Sequence, residues 1–222
     1  MKPDTALDLF DGFDAATVEA VRVRYRADMQ AAGQARAARR HSRHELRRAK
    51  AEAQLAEILP ARFDDGTSWH VISHGDIDAL SYLRHALAGV SHFDYVLLST
   101  WCIASEDMAE LQSWLDTGRI DQMTLAGGEI FPSQYGDEYQ LACKMAATYD
   151  MRLIVARNHS KVILAENTAD AYSLVIEGSA NVNTNPRIEQ TTIHRSAELL
   201  AFYRDFFHGL RSIDKRAPRP AG

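Results

Sequence analysis

The segment Asn158-His159-Ser160-Lys161-Val162-Ile163-Leu164-Ala165-Glu166 and its echo, Gly178-Ser179-Ala180-Asn181, decide how this chain reads. An imidazole and an ammonium two residues apart on extended backbone project to the same side of a sheet. Val162-Ile163-Leu164-Ala165 continues as an apolar strand. Tyr172-Ser173-Leu174-Val175-Ile176 returns beside it and ends in small polar residues, with Asn167-Thr168-Ala169-Asp170-Ala171 as the hairpin turn. Neighbouring strand ends thus bring together an imidazole, an ammonium, a hydroxyl and a carboxamide. Such a group can hold a phosphate and attack it without a metal.

These residues resemble one half of the phospholipase D superfamily signature, H-x-K-x4-D followed by G-S-x-N. His159, Lys161, Gly178, Ser179 and Asn181 fall on the pattern, and Asn183, Arg187 and Glu189 extend it. The chain departs from it twice. Glu166 stands where the family has Asp, and the gap to Gly178 is several residues longer, the extra length falling in the 167–171 turn. In the family this acid supports the motif rather than taking part in bond chemistry. His-x-Lys alone is common on exposed strands, and Gly-Ser-Ala-Asn alone suits a turn. Their joint occurrence, in order and on the right elements, is the signal.

The resemblance implies an α/β phospholipase D-like half-domain, a mixed sheet flanked by helices, over about Ser68 to Leu210. It also implies metal-independent phosphodiesterase chemistry with no cofactor. The family's site needs two H-x-K units face to face, and this chain contains one. A homodimer with its two-fold axis through the active site follows as the expectation. His159 would serve as nucleophile or as acid/base, while Lys161 and Asn181 would stabilise the phosphoryl oxygens and Ser179 would support them. Glu189 would orient an imidazole, and Glu166 and Gly178 would support the motif. Single-motif members are most often nucleases. The alternatives are a catalytically silent nucleic-acid-binding or scaffold protein, for which Glu166 and the longer turn speak, and a phospholipase.

The remaining sequence bounds these readings. At 222 residues and 46% hydrophobic the chain can bury one sizeable core with an appendage. No apolar run approaches the ~20 residues needed to span a bilayer. Met1-Lys2-Pro3-Asp4 lacks the layout of a signal peptide, and Cys102 and Cys143 sit in apolar periodic segments. A cytoplasmic protein with reduced cysteines and no membrane attachment is expected.

Charge is segregated. Residues 21–50 carry ten Lys/Arg against Asp28 and Glu45, a net of +8, while the rest of the chain carries -13. The Ala/Arg/Glu-rich stretch from Ala15 to Leu59, with Asp14 as N-cap and Pro60 as stop, predicts a long helix within a basic arm spanning 1–60. Arg22, Arg26, Arg36, Arg40, Arg43, Arg47 and Lys50 recur with a seven-residue repeat and form one basic stripe. Such a stripe either contacts nucleic-acid phosphates or is a solvated helix face. The acidic remainder opposes a polyanion wherever arm and site do not dominate.

From Ser68 onward strands alternate with amphipathic helices, predicting a domain over 61–212 and a proline-rich, frayed tail over 213–222. The final helix, from Ala197, is expected to bury Leu199, Leu200, Phe202, Tyr203, Phe206 and Leu210. Trp101 falls at the mouth of the expected site. Gly127-Gly128 reads as a plain turn. His70, His74 and His92 lack zinc-site spacing and read as structural.

Overall fold

The computed structural model describes residues 14–17, 19–21, 23–24, 35–182 and 187–217, with residues 35–45 as backbone only. The chain divides into two units, Met1–Lys50 and Ala51–Gly222.

In the first unit the Asp14 carboxylate caps a helical start. It accepts from the N–H groups of Ala16 and Thr17 at 3.0 Å each and from the Thr17 hydroxyl at 2.6 Å. Helix α1 runs Ala35–Ile58 and ends ahead of Pro60. Arg22 and Arg26 lie outside the described residues. Arg36, Arg40 and Arg43 are placed on α1 by backbone alone, and Arg47 and Lys50 are exposed on it.

The arm is shorter than its composition suggests. Ala51 and Leu55 on the last turns of α1 and Leu59 just past its end are spaced four apart, and all three are buried with Phe63 in the core of the second unit. Those turns belong to the body.

The body is built on one seven-stranded mixed sheet of order β1-β7-β6-β5-β2-β3-β4. The strands are β1 Ser68–Ser73, β2 Phe93–Ser99, β3 Ile120–Gly128, β4 Met151–Ala156, β5 Val162–Asn167, β6 Tyr172–Gly178 and β7 Glu189–Arg195. β2, β3 and β4 are parallel, and β5, β6, β7 and β1 add antiparallel. Four further helices of more than one turn connect or cover them: α2 Ala79–Val90, α3 Ser105–Asp116, α5 Gly136–Thr148 and α6 Ala197–Gly209. A single turn, α4 Phe131–Gln134, precedes α5, and Tyr135 separates the two.

The near-continuous apolar runs of the central strands follow from burial on both faces. Val96 and Leu98 of β2, with Ile163 and Ala165 of β5, face the larger core with α2, α3 and α5. Leu97, Val162, Leu164 and Val175 face a smaller one with Leu200 and Phe207 of α6.

That smaller core offers α6 only a narrow seam. Phe202 and Phe206, expected inside, are 66% and 60% exposed, and Leu199, Tyr203 and Leu210 are partly buried. Residues 213–217 are pinned to the body rather than frayed. Ile213 N–H donates to Val155 C=O at 2.8 Å, Ala217 is buried, and Arg216 lies over the Tyr139 ring. Arg216 also pairs with Asp214 at 2.8 Å and holds that carboxyl down at about 2. Among the described residues no helix is long and apolar enough to cross a membrane.

Candidate active site

His159 and Lys161 occupy the connection from β4 to β5, just before the hairpin formed by β5 and β6. Asn158 fixes this connection. Its amide Nδ2 donates to Ser99 Oγ at 2.9 Å and to Ala126 C=O at 3.0 Å, at the ends of β2 and β3. Its Oδ1 accepts from the Ser160 N–H at 3.0 Å and the Ser160 hydroxyl at 2.6 Å, and the two serine hydroxyls bond each other at 2.7 Å. Asn158 is buried while His159 and Ser160 are exposed. One buried amide therefore ties three segments together and turns the next side chain outward.

The imidazole of His159 meets two groups. The Lys161 ammonium donates to its Nδ1 at 2.9 Å and to the His159 carbonyl at 2.6 Å. The Trp101 indole packs against the ring with centroids 5.5 Å apart and a 52° tilt. Trp101 reaches this position because Gly128 has no side chain. A Cβ there would lie 2.6 Å from the indole, 2.9 Å from the Trp101 carbonyl oxygen and 3.2 Å from that of Asn158. The two glycines expected to form a turn instead close β3 in register with β4, and Gly128 is the point on which two segments of the site converge.

The second motif lies on the adjoining strand end. Gly178 N–H donates to Lys161 C=O at 3.1 Å. A Cβ on Gly178 would fall 2.4 Å from the Gln190 carbonyl oxygen, so the close approach of β6 and β7 requires glycine. Ser179 is held from both directions. Its N–H donates to Gln190 C=O at 3.0 Å, and its hydroxyl accepts from Gln190 N–H at 3.0 Å while donating to the Glu189 carboxylate. Asn181 is half-buried, its carbonyl accepting from Ala79 N–H at the start of α2 and its side-chain Oδ1 buried without a partner among the described residues. The following residues dock the loop after β2. Val182 N–H donates to Thr100 Oγ1 at 3.3 Å, and Ala104 N–H donates to Val182 C=O at 3.1 Å.

His159, Lys161, Gly178, Ser179 and Glu189 thus form one linked group. Within the single chain Glu189 bonds Ser179 rather than the imidazole. Glu166 lies elsewhere: it faces Tyr95 and Ser173 in register and pairs with Arg204 of α6 at 2.6 Å. Five residues along β5 from Lys161 amount to ~16 Å. Glu166 lines a different cleft of about 1220 Å³, with Tyr95, Thr124, Arg152, Arg204 and His208 around it. Asn183 lies outside the described residues, and Arg187 is exposed.

Burial pushes the Lys161 ammonium below its ordinary pKa, with negative charge on the Cys102 sulfur and the Glu189 carboxylate pulling it partly back. A cation desolvated before any anion arrives is suited to hold one. If this site transfers phosphoryl groups, Lys161→Met is expected to cost about 10²- to 10³-fold in turnover without lowering the unfolding temperature. The lowered pKa means the unfolded chain binds the proton more tightly, so wild-type stability rises with pH between the folded value and 10.5. Thermal unfolding across that range checks this: the variant lacks that rise, and a variant less stable than wild type at neutral pH contradicts it.

The motif residues alone do not single out Asn158 or the role of Gly128. Asn158 had a signal, since a polar residue between an apolar strand and an exposed motif must find buried partners. Gly128 had none, because its partners come from two distant connections.

No family model matches this chain, and no curated protein matches it. Solved structures similar to it include TrmBL2, an archaeal chromatin protein described as having a novel mode of DNA binding. That match has 10% identity and a TM-score of 0.47, over 93% of this chain and 69% of that one. A polyphosphate kinase from Porphyromonas gingivalis matches at 12% identity and a TM-score of 0.48, over 70% of this chain. Phosphatidylserine synthase from Haemophilus influenzae Rd KW20 matches at 7% identity and a TM-score of 0.45, over 63%. The chain spans 27% of the kinase and 37% of the synthase. At these values the likenesses assign no family, and what the chain has of its own is a seven-stranded α/β body with an imidazole–ammonium pair at adjoining strand ends.

Proposed function

We propose that this chain is a phospholipase D-like phosphodiesterase, a homodimeric nuclease acting through a phosphohistidine. The observation that supports it is the convergence of His159 and Lys161 with Gly178, Ser179 and Glu189 at adjoining strand ends.

In the first step a lone pair of the His159 imidazole attacks phosphorus and the bond to the leaving oxygen breaks. That oxygen takes a proton from His159 of the second subunit. The second imidazole, now neutral, then takes a proton from water as the water oxygen attacks phosphorus and the phosphorus–nitrogen bond breaks. In the free chain the Nδ1 lone pair is occupied by the Lys161 ammonium. An arriving phosphate competes for that ammonium and draws it to the phosphoryl oxygens. The Asn181 amide supplies a second donor, and Ser179 holds Glu189 beside them. An exposed His159 fits a site completed by a second copy.

The test is hydrolysis of a generic phosphodiester and of plasmid DNA in excess EDTA, with His159→Ala beside wild type. Activity that survives EDTA and vanishes in the variant supports the reading, and activity that EDTA removes overturns it. Inactivity of both proteins with salt-sensitive DNA binding intact would favour the non-catalytic binding protein. Light scattering is expected to give twice the 24.8 kDa chain mass; a monomer that retains activity contradicts the shared site.

The arm supplies the nucleic-acid contact in this reading. Replacing Arg36, Arg40, Arg43 and Arg47 together with Ala is expected to flatten the dependence of log affinity on log salt by about 3 to 4 for each arm engaged. Binding that is insensitive to salt in the wild type removes the arm from the proposal.

A further inference from the structure

At the other end of β2 from Trp101, three side chains that ligate metals meet. His92 immediately precedes β2, Asp94 is its second residue, and Asp121 is the second residue of the parallel strand β3. His92 Nε2 lies 3.2 Å from Asp121 Oδ2, and His92 Nδ1 lies 3.7 Å from Asp94 Oδ1. One donor atom from each residue fits within a span of 4.8 Å. Donors about 2.0–2.2 Å from a tetrahedral ion stand about 3.4 Å apart, so a rotation of the exposed Asp121 closes the set.

What distinguishes this group from ordinary surface charge is how its members are held. The turn between β5 and β6 carries the residues in excess of the motif spacing, and it is built onto this group. Asn167 Nδ2 donates to the His92 carbonyl at 3.1 Å. Thr168 donates twice to one Asp94 oxygen, from its N–H and its hydroxyl at 2.5 Å each. Asp94 Oδ2 is thereby occupied and Oδ1 aimed at His92, the arrangement by which outer groups orient a ligating carboxylate.

We propose that His92, Asp94 and Asp121 bind a divalent transition metal of the Zn²⁺ class, positioned by the Asn167–Thr168 turn. One nitrogen and two carboxylate oxygens suit such an ion and leave a fourth position for water. Asp94 and Asp121 both line the cleft of about 1220 Å³, so that position opens there. Five residues of β2, ~16 Å, separate Asp94 from Ser99 at the His159 end. The ion takes no part in the phosphoryl chemistry, and this site stands or falls independently of it.

The test uses the full chain, stripped with EDTA and exchanged into chelator-free buffer. It is titrated with Zn²⁺ by calorimetry and with Co²⁺ by visible absorption. One ion per chain is expected, with the absorption of a low-coordinate Co²⁺ ion. His92→Gln and Asp121→Asn should each lose at least about tenfold in affinity, and Thr168→Val about 10- to 100-fold. His70→Gln and His159→Ala should bind as wild type does. Circular dichroism establishes that each variant is folded. No uptake at millimolar Zn²⁺ overturns the proposal. Equal affinity in His92→Gln and wild type overturns it as well.

Discussion

Replacing His159 with Ala is expected to reduce EDTA-resistant phosphodiester hydrolysis by about 10⁴-fold or more, the scale seen when a nucleophile is removed. The fold should not register the change. The imidazole is exposed, packs on Trp101 and bonds Lys161. Truncating such a side chain costs within about 0.5 kcal/mol. A loss of activity accompanied by a large fall in unfolding temperature would mean that His159 is structural and the assignment wrong. The same variant tests the shared site. Wild type and variant unfolded together, mixed equally and refolded give homodimers and heterodimers in a ratio of about 1:2:1. If each site needs both imidazoles, activity falls to about a quarter of that of an all-wild-type preparation; if each chain works alone, it falls to about half.

The sequence carried the strands, the helices and the local motif because each depends on residues near one another. Period-two and period-3.6 patterns carried the alternation of strands and helices from Ser68 onward, the hairpin of β5 and β6 and the start of α6. Gly178, Ser179 and Lys161 were legible because the hairpin that unites them is short. What the sequence did not carry depends on which distant surface an element meets. The apolar face of α6 contains more large side chains than its core can receive, so pattern alone placed Phe202 and Phe206 inside. Ala51, Leu55 and Leu59 are diluted by charged neighbours, so pattern alone does not mark them as core. Ala217 and Ile213 sit in a polar, proline-rich stretch whose anchors, Val155 and Tyr139, lie far back in the chain. Glu166 fits the spacing of a motif residue, yet its ion pair with Arg204 ties β5 to α6. The glutamate side chain is long enough to reach across to that helix.

Asn158→Ala is expected to destabilise the folded chain by about 2–4 kcal/mol and to remove activity even where the protein remains folded. The amide serves five polar groups: the hydroxyls of Ser99 and Ser160, the Ser160 N–H, and the carbonyls of Ala126 and, at 3.5 Å, Thr100. Alanine leaves these short of partners in a buried place, and unmade buried hydrogen bonds cost more than made ones contribute. Asn158→Asp should be worse at pH 7. An ionised carboxylate would face two carbonyl oxygens where Nδ2 now donates, and burial would raise its pKa above the ordinary aspartate value. The unfolded chain then loses its proton first, so the deficit of this variant grows as pH rises from about 4 towards neutrality and shrinks on acidification. Urea denaturation of the three proteins at pH 7 and pH 4.5 separates these effects. Alanine should show a similar deficit at both pH values, whereas aspartate should recover part of its loss at the lower one. If alanine proves neutral, the buried amide does not hold the connection, and the outward setting of His159 must come from Trp101 and Gly128 alone.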